Sequence, residues 1–211
     1  MVDCFRPADR AGGATVRTRL VVCTLMAAAL ATAAEPTRIL IAYHSQTGTT
    51  EQLAQAIQRG AAAVAGVEVV LRKAAEVKSE EILRADGIVV GTPVHWHNVS
   101  LDTKRFLDRV GETLWKAKTT GEGRTAGAFC TGGAPAMGKE MARLSILSAF
   151  LVMRFVVVGG VEAEGYGTLG PEATTGGPKP GVDERALKEA QQFGERFARL
   201  TRQLRAGAAR K

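Results

Sequence analysis

Seven consecutive residues, His44-Ser45-Gln46-Thr47-Gly48-Thr49-Thr50, carry four hydroxyls and one glycine between an apolar run and an amphipathic one. At the start of a helix, free backbone N–H groups, hydroxyls and the positive end of the helix dipole together form an anion site. The run has no lysine and does not follow G-x-x-x-x-G-K-[ST], which argues against Mg-nucleotide hydrolysis. It also lacks G-x-G-x-x-G, which argues against a primary dinucleotide site. A terminal monophosphate held by hydroxyls and backbone is the better match. The plainer alternative is a Ser/Thr-rich turn that only caps its helix.

Two more segments carry chemistry. Gly91-Thr92-Pro93-Val94-His95-Trp96-His97-Asn98-Val99-Ser100 holds two of the three histidines, and His44 is the third. A histidine titrates near neutral pH, so His95 or His97 could donate a proton to a reduced substrate, with solvent as the rival donor. Trp96, isolated from any helical or strand stripe, offers a stacking face. The run Phe129-Cys130-Thr131-Gly132-Gly133 ends in glycines that permit close backbone approach to a ligand. Cys130 at a strand end reads as a small buried core residue.

These segments need strands and helices to converge. From Thr37 the chain alternates short β-branched runs with helical patterns, which is the signature of βαβ units. Strands are expected at Arg38–Tyr43, Val67–Arg72, Gly87–Gly91, Thr125–Phe129 and Phe155–Val158. Helices are expected at about Thr49–Val64, Ser79–Arg84, Leu101–Val110, Lys139–Met153 and Asp183–Leu204. In the fourth helix the Met141–Leu144–Leu147–Leu151 stripe reads as core packing, and Gly159–Gly181 reads as loop. Right-handed crossovers then give a three-layer αβα sandwich whose ligands bind beyond the carboxyl ends of the strands. All three histidines, and Tyr43, Trp96 and Tyr166, fall at that edge or in the loops that follow it.

The 211 residues suit one domain. Three cysteines, none in a C-x-x-C pair, exclude a disulfide scaffold and a cysteine zinc site. Residues 1–34 read as a secretory signal peptide: Arg17 and Arg19, an apolar stretch Leu20–Ala34, and Ala31-Thr32-Ala33 as cleavage motif. The stretch is shorter than the roughly 20 residues of a membrane span. Export to the periplasm or medium follows. The rival readings are an uncleaved leader as the one membrane contact, or a start-site artefact, with a cytoplasmic protein. Residues 35–211 keep 24 basic and 19 acidic side chains, a net +5. With no aromatic–basic platform, that balance does not indicate nucleic acid.

The run Tyr43-x-Ser45-x-x-Gly48-x-Thr50-x-x-x-Ala54-x-x-Ile57 resembles the flavodoxin phosphate-loop signature. Further along, Gly91-Thr92-Pro93, Asn98-x-Ser100, Phe106-Leu107-Asp108, Trp115, Phe129–Gly133, Gly138 with Glu140, Tyr166-Gly167-Thr168 and the tail from Gly177-Pro178 to Gly194 extend the likeness. Together they resemble the flavodoxin-like NAD(P)H:quinone oxidoreductases (the WrbA family) and their FMN-reductase relatives. The resemblance spans Arg38–Leu204 and implies a flavodoxin-like αβα sandwich with a five-stranded parallel sheet in order 2-1-3-4-5.

It also implies FMN, with its phosphate on Ser45, Gln46, Thr47, Gly48, Thr49 and Thr50. The isoalloxazine would lie along Pro93, Val94, His95, Trp96 and Asn98, with Thr131, Gly132 and Gly133 on its other flank. Trp115 matches a tryptophan that borders the pocket from a neighbouring subunit, which implies a homodimer or homotetramer. NADH or NADPH would be the donor and a quinone or similar small molecule the acceptor. Three histidines also raise a metal site, but no carboxylate lies beside them in sequence and the flavin claims the same crevice, so no metal is expected. Two departures stand out. Val94-His95-Trp96-His97 replaces the family's Thr-Arg-aromatic-Gly run, and Val152-Met153 stands where a histidine on the substrate side is usual. The alternatives are a flavodoxin-type electron carrier, a class whose members are strongly acidic, and a cofactor-free interaction module.

Overall fold

The computed structural model describes residues 35–161, 165–176 and 181–208; the leader and the Gly177-Pro178 pair lie outside them. Strand β1 (Thr37–Tyr43) is followed by helix α1 (Thr49–Ala62), β2 (Val67–Lys73), α2 (Ser79–Arg84), β3 (Gly87–His95), β4 (Asn98–Val99) and α3 (Leu101–Lys116). Then come β5 (Thr125–Gly132), α4 (Lys139–Val152), β6 (Val156–Val157), β7 (Gly160–Val161), β8 (Gly167–Thr168), β9 (Glu172–Thr174) and α5 (Glu184–Ala208).

The main sheet runs β2-β1-β3-β5-β6, all parallel. Counting only these principal strands, this is the expected 2-1-3-4-5 order. Two short strands widen it beyond five. β4 folds back antiparallel on β3, and β9 pairs parallel with the far end of β5 (Cys130 opposite Glu172, Gly132 opposite Thr174). The segment expected to be loop from Gly159 to Gly181 therefore contains β9 and the antiparallel β7–β8 pair. Strands this short carry too few side chains for an alternation to be visible.

Alternation along β1 feeds two cores. Ile39, Ile41 and Tyr43 pack with Leu53 and Ile57 of α1 and with Phe193 and Phe197 of α5. Leu40 and Ala42 join Ile88 and Val90 of β3, Ile82 of α2, Phe106 and Val110 of α3, and Ile146 and Phe150 of α4. Each such large side chain, fully buried, contributes about 1.5–3 kcal/mol. The α1–α5 contact is close because two glycines face it: a Cβ on Gly60 would lie 1.9 Å from the Gln191 carbonyl oxygen, and one on Gly194 would lie 2.1 Å from that of Ile57.

The expected stripe on α4 is corrected. Leu147 is buried, but Met141, Leu144 and Leu151 are 55%, 44% and 57% exposed. The inward face is Lys139, Ala142, Arg143, Ile146, Leu147 and Phe150. Because α4 is apolar on more than one face, periodicity alone could not choose between them.

Candidate functional site

β1, β3 and β5 lie side by side, and the loops at their carboxyl ends meet. Tyr43 pairs with Gly91 across β1–β3, and Pro93 with Thr131 across β3–β5. The His44 N–H donates to the Gly91 carbonyl at 3.1 Å, and Thr50 Oγ1 lies 2.8 Å from Thr131 Oγ1 in a buried contact. The first and third expected loops are thereby tied directly together.

Gly48 caps α1 in the left-handed region (φ 87°), with no atom within 4 Å of where a Cβ would stand. Among the described residues no side chain caps the helix; Ser45 Oγ instead accepts the Gly48 N–H at 3.0 Å, outside it. Thr47 and Thr49 hydroxyls lie 3.3 Å apart, and Gln46 and Thr47 are exposed. The start of α1 therefore combines first-turn N–H groups, the adjacent Thr47 and Thr49 hydroxyls and an open glycine, a set of groups that suits a phosphate.

The second segment is a hairpin rather than an open loop. β3 runs on to His95, which pairs with Asn98, leaving Trp96 (φ 51°) and His97 (φ 63°) as its two turn residues. Both left-handed conformations match the tight hairpin turn that Asn-Gly normally occupies. Trp96 is fully exposed at the tip. The backbone of His97 rests against Gly138 (φ +78°), whose Cβ, if present, would lie 2.5 Å from His97 Cα. Pro93, Val94 and His95 are half-buried, whereas Asn98 is exposed and its Oδ1 accepts the Val99 N–H at 2.8 Å.

His44 has a second role that the sequence did not disclose. Its Nδ1 lies 2.7 Å from Ser100 Oγ, its Nε2 lies 3.4 Å from Asp102 Oδ2, and its ring meets His95 edge-on at 5.9 Å. Burial lowers its pKa despite the nearby Asp102 carboxylate, so His44 is held toward the neutral form. It links the phosphate loop to the start of α3 and the base of the hairpin.

Thr131 and Gly132 are buried and Gly133 is exposed, with open space at its Cβ position. Cys130 is buried, and desolvation pushes its thiol up to about 12, which leaves no thiolate at neutral pH. Trp115 is 84% exposed, near the far end of α3 from Leu101. Fourteen residues of helix are about 21 Å, so Trp115 does not join this chain's own loop cluster. Among the described residues, no group of three His, Cys, Asp or Glu side chains is placed to hold a metal ion.

A parallel open sheet with a Ser/Thr-rich loop after its first strand and a hairpin after its third defines a doubly wound α/β protein, a class whose ligands lie at the switch point beyond the carboxyl ends of the strands. Comparison with known proteins narrows this. The family model described as Flavodoxin matches residues 41–125. The chain is 30% identical over 168 residues to a flavodoxin of Clostridium saccharobutylicum, covering 79% of this chain and 99% of that one. It is 28% identical over 201 residues to a protein of Acidithiobacillus ferrooxidans named NAD(P)H dehydrogenase (quinone), covering 79% and 98%. The solved structure of a flavodoxin, WrbA-like protein from Agrobacterium tumefaciens shares the fold, with TM-score 0.63, 21% identity and coverage of 79% and 98%. The chain belongs to the flavodoxin family, whose members bind FMN.

Proposed function

We propose that the protein holds FMN beyond β1, β3 and β5 and works as an NAD(P)H:quinone oxidoreductase. One observation carries the reading: Gly48 stands left-handed and open before a helix that no side chain caps among the described residues. A turn that served only as a cap would aim Ser45 or Thr47 at the first-turn N–H groups. That no such bond is made among the described residues, and that a Cβ at Gly48 would meet open space, supports a phosphate as the partner of those donors.

Bound there, FMN would supply hydride acceptance from the nicotinamide and two-electron delivery to the acceptor. The chain's own residues hold and enclose it. Ser45 to Thr50 take the phosphate. Pro93, Val94, His95, Trp96 and Asn98 line one flank, and Thr131, Gly132 and Gly133 the other. His95 or His97 supplies a proton to the reduced quinone. NADH or NADPH as donor, a quinone or similar small molecule as acceptor, and export by a cleaved leader belong to the same proposal. So does a homodimer or homotetramer in which Trp115 of one copy reaches the pocket of another; its exposure, and that of Val152 (85%), leaves apolar surface for such a contact.

The enzyme reading is supported by the relative named NAD(P)H dehydrogenase (quinone), matched over 98% of its length. A carrier of electrons without nicotinamide activity is the second reading, favoured by the flavodoxin relative matched over 99% of its length. The basic balance of the chain counts against it, since steering to a basic reductase needs the opposite sign.

Adding FMN to the purified protein and recording the visible spectrum is the test. Flavin bands near ~375 and ~450 nm that stay with the protein are expected, and their absence overturns both readings. With FMN bound, NADH or NADPH oxidation by benzoquinone above background is expected. Background rates leave the carrier.

A further inference from the structure

On the side of β5 occupied by β9 lies a cavity of about 730 Å³, walled by the start of α4, the β7–β8 pair, β9 and the start of α5. That volume falls within the roughly 300–1,000 Å³ of small-molecule sites. Two cations reach into it from α4. Lys139 and Arg143 side chains are only 3% and 5% exposed, and they share one carboxylate, Glu172, which is 33% exposed. Lys139 Nζ donates to Glu172 Oε1 at 2.7 Å and to Thr174 Oγ1 at 2.8 Å. Arg143 donates to Glu172 Oε2 and to the carbonyls of Gly170 and Lys139.

As scaffolding alone this arrangement is unfavourable. Two buried cations face a single counter-charge, and both sit in the first turns of α4, where the helix dipole disfavours positive charge. The other charged residues lining the cavity are committed or outward. Glu189 pairs with Arg185 at 2.9 Å, Asp183 accepts the Ala186 N–H at 2.7 Å, and Glu140 and Asp183 are exposed at the rim. Lys139 spends two of its three N–H bonds on partners among the described residues. Arginine's planar fork matches phosphate oxygens two at a time.

We propose that this cavity is a subsite for a phosphate-bearing small molecule, whose phosphate displaces Glu172 from Lys139 and Arg143. The cavity also adjoins the loop assigned to the flavin. A Cβ on Gly132 would meet Lys139 Cγ at 3.0 Å and Val94 Cγ2 at 3.6 Å, and the Thr175 N–H donates to the Gly132 carbonyl at 2.8 Å. The same chemistry therefore has two sources, the 2′-phosphate of NADPH or an independent phosphorylated ligand. Only the first rests on the oxidoreductase reading.

The probe is inorganic phosphate, titrated into full-length protein saturated with FMN so that the phosphate loop is filled, and followed by calorimetry. Saturable binding is expected. Arg143→Gln weakens it by about tenfold or more, and Glu172→Gln, which removes the competing carboxylate, tightens it by about tenfold. No saturable binding in the wild type, or Glu172→Gln no tighter than wild type, overturns the proposal. If Glu172→Gln does not fold alone, refolding with phosphate but not with chloride supports the proposal, and failure in both overturns it. Phosphate that inhibits NADPH but not NADH oxidation assigns the site to the 2′-phosphate; inhibition of neither assigns it to an independent ligand. If no FMN is taken up, the oxidoreductase reading fails by absorbance, while the difference between Arg143→Gln and wild type in phosphate titration still judges the cavity.

Discussion

Two regions flank Thr131–Gly133, and the phosphate sites proposed for them would work by opposite means. The phosphate loop uses no fixed charge: backbone N–H groups, three hydroxyls and Gly48 with open space around it. The cavity beside β9 uses two buried cations already clasped by Glu172. A neutral cradle costs little when empty, because water satisfies its donors. A buried cation pair cannot wait unpaired, so the fold supplies its own carboxylate as a stand-in. The same contrast holds at the glycines that cap α1 and α4. Both are left-handed, but Gly48 is open while Gly138 lies against the His97 backbone.

The largest effect is expected at Glu172. Glu172→Gln leaves Lys139 and Arg143 without a counter-charge and should lower stability by about 3 kcal/mol in urea unfolding without phosphate. A loss below about 1 kcal/mol would show that the cations are solvated and dissolve the contrast with the phosphate loop. Next, Gly138→Ala combines a disfavoured left-handed φ with a clash at His97 and should cost about 2–3 kcal/mol. Gly48→Ala meets open space and should cost about 1 kcal/mol, while lowering FMN affinity by filling the cradle. Equal costs at the two glycines would remove the distinction.

Replacing Thr47 and Thr49 together with Ala should weaken FMN binding by about tenfold with stability nearly unchanged, as the proposed role of their hydroxyls toward the ligand requires. Unchanged affinity by flavin-fluorescence titration would reassign the loop to capping. The smallest effect is expected at His44. Its pKa is lowered in the folded protein, so the unfolded chain binds the proton more readily. Stability should therefore fall as pH drops below about 6.5 toward the folded value, and be level above. His44→Gln should flatten that slope below about pH 6.5 in urea midpoints.

Much of this was legible along the chain. The start of α1 at Thr49 and the limits of α2 follow from periodicity, which is local. The sheet order follows from the resemblance to flavodoxins. Other features were hidden for identifiable reasons. β3 and β5 outlast their apolar runs because Thr92 and Pro93 pair with Cys130 and Thr131, and Gly132 with Thr174 of β9, through the backbone, which no side-chain pattern reports. The Trp96–His97 turn lacks the Asn or Gly that signals a tight hairpin. α3 continues past Gly111 because Thr113 and Leu114 are buried against the core.

The sequence by itself determined the family and the parallel sheet, because each rests on neighbouring residues and a repeating period. It could not reveal that Lys139 and Arg143, one turn apart on an apolar helix, point inward to Glu172 some thirty residues later. Charges at that spacing read as a solvated face. Only the pairing of β9 with β5 brings Glu172 to them, and with it the cavity. Which face of α4 is buried was decided by what the rest of the fold presents to it, because the helix could have buried either.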